Sequence, residues 1–368
     1  MGRKWQIGLL CGMALLASGC AQLGYFAQAA QGQLSLMTQA RPIDDWLADP
    51  GVNDKLKGQL SKVKEMRRFA AQELDLPDNG TFTSYADLKR PYVLWNVVAT
   101  PALSLKARQW CFPVAGCVNY RGYYNKEEAL AYAAELRREN YDVQVSGVPA
   151  YSTLGWFDDP VLSTFVQYPE AELARLIFHE LAHQVAYAPG DSRFNEAFAV
   201  AVEEYGVERW VKAHGDDKLR ENYEAQAARK RDFLELLLKT RKALESNYAS
   251  AADDKQKLAR KAEIFQAMQD DYQTLKKQWG GYAGYDRWFA EPLSNAHLAL
   301  VATYHDLVPG FRALLDREKD LGKFYAAVRS LSSLEQPQRY QRLAGLAHDK
   351  AAPVQSAMVD GKEIAAHE

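Results

Sequence analysis

Long apolar runs, an excess of charge of either sign and paired metal-finger cysteines are all missing from this 368-residue chain, and each absence narrows what it can be. Its longest apolar stretch, Ile7 to Ala17, is too short to cross a bilayer as a helix. With 45 Lys and Arg against 47 Asp and Glu, no basic surface is implied, and nucleic acid is not an expected partner. No internal repeat and no Ser/Gly/Pro linker stand out, so one large domain or two intimate ones are expected. Only four cysteines are present, with no second Cys or His pair at finger spacing, which excludes a zinc finger.

What the chain does carry is His179-Glu180-Leu181-Ala182-His183. On a helix, positions i and i+4 project from one face, so both imidazoles can reach one metal ion. At about 100° per residue, His179, Glu180 and His183 share an arc, and Ile177, Phe178, Leu181 and Val185 lie opposite, ready for burial. Glu180 is placed to take a proton from an attacking water.

A third ligand is available nearby. Pro189-Gly190 breaks the first helix, and Asp191 or Ser192 can cap a second that carries Glu196 and Glu203. The short turn makes the helices antiparallel neighbours, so Glu196 can face the histidines as the third ligand of a single Zn²⁺. Glu203, seven residues on, reads as a carboxylate supporting a ligand or meeting a substrate amine, or as an ordinary surface acid.

Periodicity predicts a mainly helical α+β fold. A helix is expected over Asp54 to Leu74, a strand pair over Tyr92 to Thr100 and Leu103 to Trp110, a helix capped by Asn125, and a strand over Tyr141 to Val145. A small sheet thus precedes the two site helices, a zincin-like order. Tyr151 to Asp159 is expected as the substrate edge strand, with Gly155 admitting a ligand backbone and Trp156 and Phe157 forming an apolar wall. Asp158 or Asp159 would meet a substrate ammonium, or close a turn. Residues 217–279 read as a long helical hairpin with a solvated charged face. Asn295 to Leu307 reads as a helix ending before Pro309, and residues 351–368 as a disordered tail. Stabilisation of an oxyanion falls to Tyr304 first, His297 second and Tyr285 third.

These residues resemble the gluzincin metallopeptidases, in which a His-Glu-x-x-His helix is followed by a glutamate in an Asn-Glu-x-x-Ala setting. More narrowly, the chain resembles the putative aminopeptidase family of bacterial lipoproteins. The likeness rests on Gly32 to Ile43, Tyr151 to Pro160, the two zinc helices and Asn295 to Pro309. It implies a zinc-dependent peptidase, in the first place an aminopeptidase, in which Glu180 serves as general base. Two features depart from the better-known gluzincin aminopeptidases: only Gln184 to Asn195 separate the second histidine from Glu196, and the Gly-x-Met-x-Asn strand is absent. Two alternatives remain, a zinc endopeptidase or maturation protease, and an envelope scaffold with a structural zinc site.

Arg3 and Lys4 before the apolar run make residues 1–19 a secretory signal. Leu16-Ala17-Ser18-Gly19-Cys20 resembles a lipobox, which implies acylation of Cys20 and a periplasm-facing outer-membrane lipoprotein that meets the membrane through its lipid. Residues 20–165 would then form a helix and small-sheet region, and 166–350 the helical metallopeptidase region. In an oxidising periplasm Cys111 and Cys117 are expected to pair.

Overall fold

The computed structural model describes residues 24–112, 116–301 and 306–360; the signal segment, Cys20, Tyr304 and residues 361–368 lie outside them. Helices dominate and the sheets are small, as an α+β, mainly helical chain requires. No helix among the described residues is long and apolar enough to cross a membrane.

A first helix, α1 (24–39), leads to three very short paired strands, β1 (Arg41–Pro42), β2 (Ser84–Ala86) and β8 (Val161–Leu162), in the order β1-β2-β8. Between β1 and β2 lie a short helix, α2 (Ile43–Ala48), and α3 (Asp54–Glu73). Asn53 caps α3 by accepting from the Leu56 N–H, as sequence predicts for a helix here. A second sheet is antiparallel in the order β6-β3-β7: β3 (Leu94–Pro101) lies between β6 (Arg121–Tyr123) and β7 (Tyr141–Val148). Strict alternation sends Trp95, Val97 and Ala99 to one face, where they pack on Ala129, Ala133 and Leu136 of α4 (Lys126–Arg138). Leu94 and Asn96 therefore point the other way.

The expected second strand over Leu103 to Trp110 does not form. Asn295 Nδ2 donates to the carbonyls of Pro101 (3.3 Å), Ala102 (3.0 Å) and Ser104 (3.1 Å), and so takes acceptors that a neighbouring strand would need. Only Trp110–Phe112 (β4) is extended, and it pairs with Gly116–Val118 (β5). That hairpin aligns Cys111 with Cys117, and the two are joined by a disulfide.

The main core gathers around α5 (Glu170–Ala182) and α6 (Ser192–His214), with α3 packed alongside. Leu173, Ile177, Phe178 and Leu181 of α5 are buried against Ala197, Phe198, Ala201 and Val202 of α6. Gly206 makes the close approach tolerable, since a Cβ there would lie 2.8 Å from the Phe178 ring and 2.7 Å from Leu74. The predicted helical hairpin is present as α7 (Asp217–Ala249) and α8 (Asp254–Gln278), with its own apolar seam of Leu237, Leu244, Phe265, Met268 and Tyr272.

Beyond α9 (Asp286–Phe289), the expected helix from Asn295 to Leu307 is interrupted. α10 covers Asn295–Ala299, Asp306 and Leu307 lie in a turn, and Pro309 sits in the first turn of α11 (Val308–Glu318) instead of ending a helix. Proline suits that place because its missing N–H has no intrahelical partner to lose. After α12 (Leu321–Ser332), α13 (Gln336–Asp360) stays helical past Ala351, where a disordered tail was expected.

One buried node ties the C-terminal helices to the site. Asp191 caps α6 by accepting from the Phe194 N–H at 3.1 Å, and it also accepts from the Tyr340 hydroxyl and pairs with the Arg339 guanidinium. Both charged groups are buried. Replacing Asp191 by Ala removes a cap and strands a buried cation, so Asp191→Ala is expected to destabilise the fold by about 3 kcal/mol. Urea denaturation measures it; a loss below about 1 kcal/mol would mean that Arg339 finds another partner.

Candidate active site

The site is assembled where α5 ends. His179 lies in the last turn of α5 and His183 is its C-cap, so the two rings stand one turn apart and meet edge to face with centroids 4.8 Å apart. The turn that follows is fixed by Asn195. Its Oδ1 accepts from the Ala188 N–H at 2.8 Å and its Nδ2 donates to the Ala188 carbonyl at 3.0 Å. Closing that loop brings Glu196, the next residue, opposite the histidines.

Three atoms converge: Nε2 of His179 and Nε2 of His183 are 3.2 Å apart, and Glu196 Oε2 lies 3.3 Å and 3.7 Å from them. Ligand bonds of about 2.0–2.1 Å at the tetrahedral angle place donors roughly 3.3 Å from one another. The spacing and the two-nitrogen, one-oxygen donor set therefore fit one small divalent ion, and the three residues could hold a metal.

Behind them sits a charge network. Glu203, which is 1% exposed, accepts from His179 Nδ1 at 2.7 Å. It is held by Arg175 Nη1 at 3.2 Å and Lys230 Nζ at 3.3 Å, and Arg175 also reaches Glu172 at 2.8 Å. Burial would raise the Glu203 pKa, but Arg175, His179 and Lys230 hold it well below the usual carboxylate range. With His179 Nδ1–H directed at Glu203, the Nε2 lone pair faces the other two donors. Burial works against charge on His179 as well, yet Glu196 and Glu203 outweigh it and raise its pKa to about 10. His183, with less compensation from Glu196, is pushed by burial down to about 4. The site thus calls for positive charge at the point where the three donors meet, and a bound cation would supply it.

Glu180 faces the same cleft, and burial raises its carboxyl to about 7, assisted by the negative charges of Glu196, Asp159 and Glu203. A carboxyl poised there can both take and return a proton near neutral pH. The cleft is a cavity of about 360 Å³. Besides His179, Glu180, His183 and Glu196 it is walled by Tyr25 and Ala29 of α1, Phe112 and Val118 of the disulfide hairpin, Tyr120, Tyr187, and Leu94, Asn96, Gly122 and Val148 of the second sheet.

The structure brings together His179, Glu180, His183, Glu196 and Glu203, but not the other described residues of the predicted site; Tyr304 lies outside the described residues. Residues 151–159 form a turn instead of an edge strand: Leu154 and Gly155 have φ of 58° and 80°, and Asp159 closes the turn by accepting from Thr153 N at 2.7 Å and Oγ1 at 2.9 Å. Trp156 and Phe157 point into solvent at 72% and 50% exposure, whereas Tyr151, Ser152 and Leu154 do line the cleft. A Cβ at Gly155 would meet Gln184, and Asp158 lies over Gly80. His297 does not line the cleft: its Nδ1 accepts from the Ser294 N–H at 3.1 Å, and its ring packs edge-on against Trp288. Tyr285 stacks on Phe233.

Sequence reasoning missed Tyr120, Tyr187 and Asn96. Tyr120 is part-buried beside Glu196 and Glu180, and desolvation together with their negative charge raises the pKa of its hydroxyl. It follows a three-residue strand in an irregular segment, so no periodicity pointed to it.

Glu203→Gln keeps the shape of the group behind His179 and removes its charge. Metal affinity is expected to fall 10–100-fold, measured by competition with a chromophoric chelator; unchanged affinity would separate Glu203 from the metal site.

Neither the curated proteins nor the solved structures yield a match to the chain. The family model described as "Putative aminopeptidase" matches residues 24–343, a span that includes both site helices and every wall of the cleft. That match covers most of the chain, which belongs to the putative aminopeptidase family.

Proposed function

We propose that the chain is a zinc-dependent peptidase, and the observation that carries this reading is the convergence of His179 Nε2, His183 Nε2 and Glu196 Oε2 beside a part-buried glutamate, Glu180, that lines the same cleft. Zinc, when bound by these three, would polarise a scissile carbonyl and acidify water toward neutrality. Glu180 takes the proton of the attacking water and returns it to the leaving amine. Tyr120, kept protonated, donates toward the oxygen on which negative charge develops. Glu203 fixes the tautomer and orientation of His179. Family membership supports a peptide as substrate. The signal-like amino terminus and lipobox support attachment through acylated Cys20 to the outer membrane, with the cleft facing the periplasm.

An endopeptidase reading is favoured by one specific observation. Among the described residues lining the cleft, the only carboxylates are Glu180 and Glu196, and both already have tasks. No separate acid stands ready for a substrate α-ammonium. Acetylating the amino terminus of a cleaved peptide decides between the readings: lost cleavage indicates an aminopeptidase, retained cleavage an endopeptidase.

Glu180→Gln is expected to retain zinc, by elemental analysis, and to lose nearly all turnover of a peptide library; a fully active variant would sink the mechanism. Tyr120→Phe should lower kcat about 10- to 1000-fold with KM little changed. A glutamate base with a pKa of about 7 is filled by a proton as pH falls, so kcat/KM should drop on the acid side. The positive charge of a bound ion moves that limb to or below neutrality. A pH–rate profile without an acid limb would remove Glu180 as the base.

A further inference from the structure

The cleft has a second wall, away from His179, His183 and Glu196, that the hydrolytic machinery leaves unused. Strand register sets Leu94 of β3 directly against Val148 of β7, so both side chains leave the same face of the second sheet and line the cavity. α1 contributes Tyr25 and, one helical turn on, Ala29; the disulfide hairpin contributes Phe112 and the buried Val118. The rings of Tyr25 and Phe112 stack with centroids 5.6 Å apart, which joins two of these elements. Segments distant in sequence thus meet in one apolar lining.

This wall carries no charge. Among the described residues that line the cleft, the only carboxylates are Glu180 and Glu196, which stand with the two histidines, and no lysine or arginine lines it. Two guanidiniums close to the wall are engaged elsewhere. Arg121 lies 4.1 Å from the centroid of the Tyr25 ring and 4.7 Å from that of Tyr132, and Arg90 donates to the carbonyls of Tyr124 at 2.7 Å and Val93 at 2.8 Å. Asn96 lies between Leu94 and the strand centre, but it is neutral and its Oδ1 is buried. An acidic or basic side chain entering here would lose hydration without meeting an opposite charge. A large aliphatic or aromatic one would remove its own surface and that of the wall from water, and an alanine would remove much less. We propose that Leu94, Val148, Phe112 and Val118 form a subsite for a bulky apolar side chain of the substrate, of the leucine or phenylalanine kind. This rests on the peptidase reading and names its substrate class.

The test is equilibrium binding by calorimetry to zinc-loaded Glu180→Gln protein, using peptides that differ at one residue, with each position varied in turn through leucine, phenylalanine, alanine, glutamate and lysine. At one position, leucine or phenylalanine should bind about 10- to 100-fold more tightly than the other three. Leu94→Lys places a cation in the wall and should reverse the order there, strengthening the glutamate peptide and weakening the leucine peptide. Val148→Ala, a milder change, should weaken the leucine peptide and leave the glutamate peptide unchanged, with zinc content by elemental analysis the same as in the parent. Equal affinity across the series at every position, no binding at all, or an apolar preference that survives both substitutions would overturn the subsite. If the preference holds but the zinc-loaded natural protein cleaves none of the peptides, the peptidase reading fails and the subsite stands. Cleavage with indifference to the varied side chain has the reverse meaning.

Discussion

The contact on which the site depends is the one between Glu203 and His179. A carboxylate with almost no exposure would be costly by itself; Arg175 and Lys230 make it tolerable, and the imidazole N–H gives it a direction. That arrangement holds the ring in one orientation and leaves its other nitrogen free to act as a ligand. Since Glu203 lies two turns beyond Glu196 on the same helix, a single rigid element delivers both Glu196 and the partner of His179. The registry of α5 against α6 therefore matters more to the chemistry than any one side chain.

That registry is set at both ends of the connecting turn. Asn195 closes around Ala188 from inside α6, and Asp191 anchors the helix start to Arg339 and Tyr340, far away in sequence. The asparagine of the Asn-Glu pair is thus a structural clasp for the loop, and the glutamate follows from it. Long-range packing of the C-terminal helices consequently reaches His179, His183 and Glu196 through a helix cap.

Much of this was legible in the sequence where helical period was at work. The i and i+4 histidines, the opposite buried stripe, the Pro-Gly break, the Asp191 cap and the inward Glu196 all follow from 3.6 residues per turn and a short loop. The irregular segments were not legible. Trp156 and Phe157 looked like a wall, but the left-handed backbone at Leu154 and Gly155 turns them outward. Asn295 overrode the strand propensity of the segment after Pro101 through three bonds from across the fold, which no local pattern encodes. Tyr120 and Asn96 belong to the cleft only because separate sheets and helices meet there.

The hairpin that carries the disulfide lies outside the His179, His183 and Glu196 cluster, yet its strands put Phe112 and Val118 into the cleft wall, and its Gly116 rests on the Pro189-Gly190 backbone. The disulfide therefore fastens a part of the cavity that His179, His183 and Glu196 do not occupy. With those thiols unjoined, the three converging side chains would keep their helices while the wall formed by Phe112 and Val118 lost its fastening.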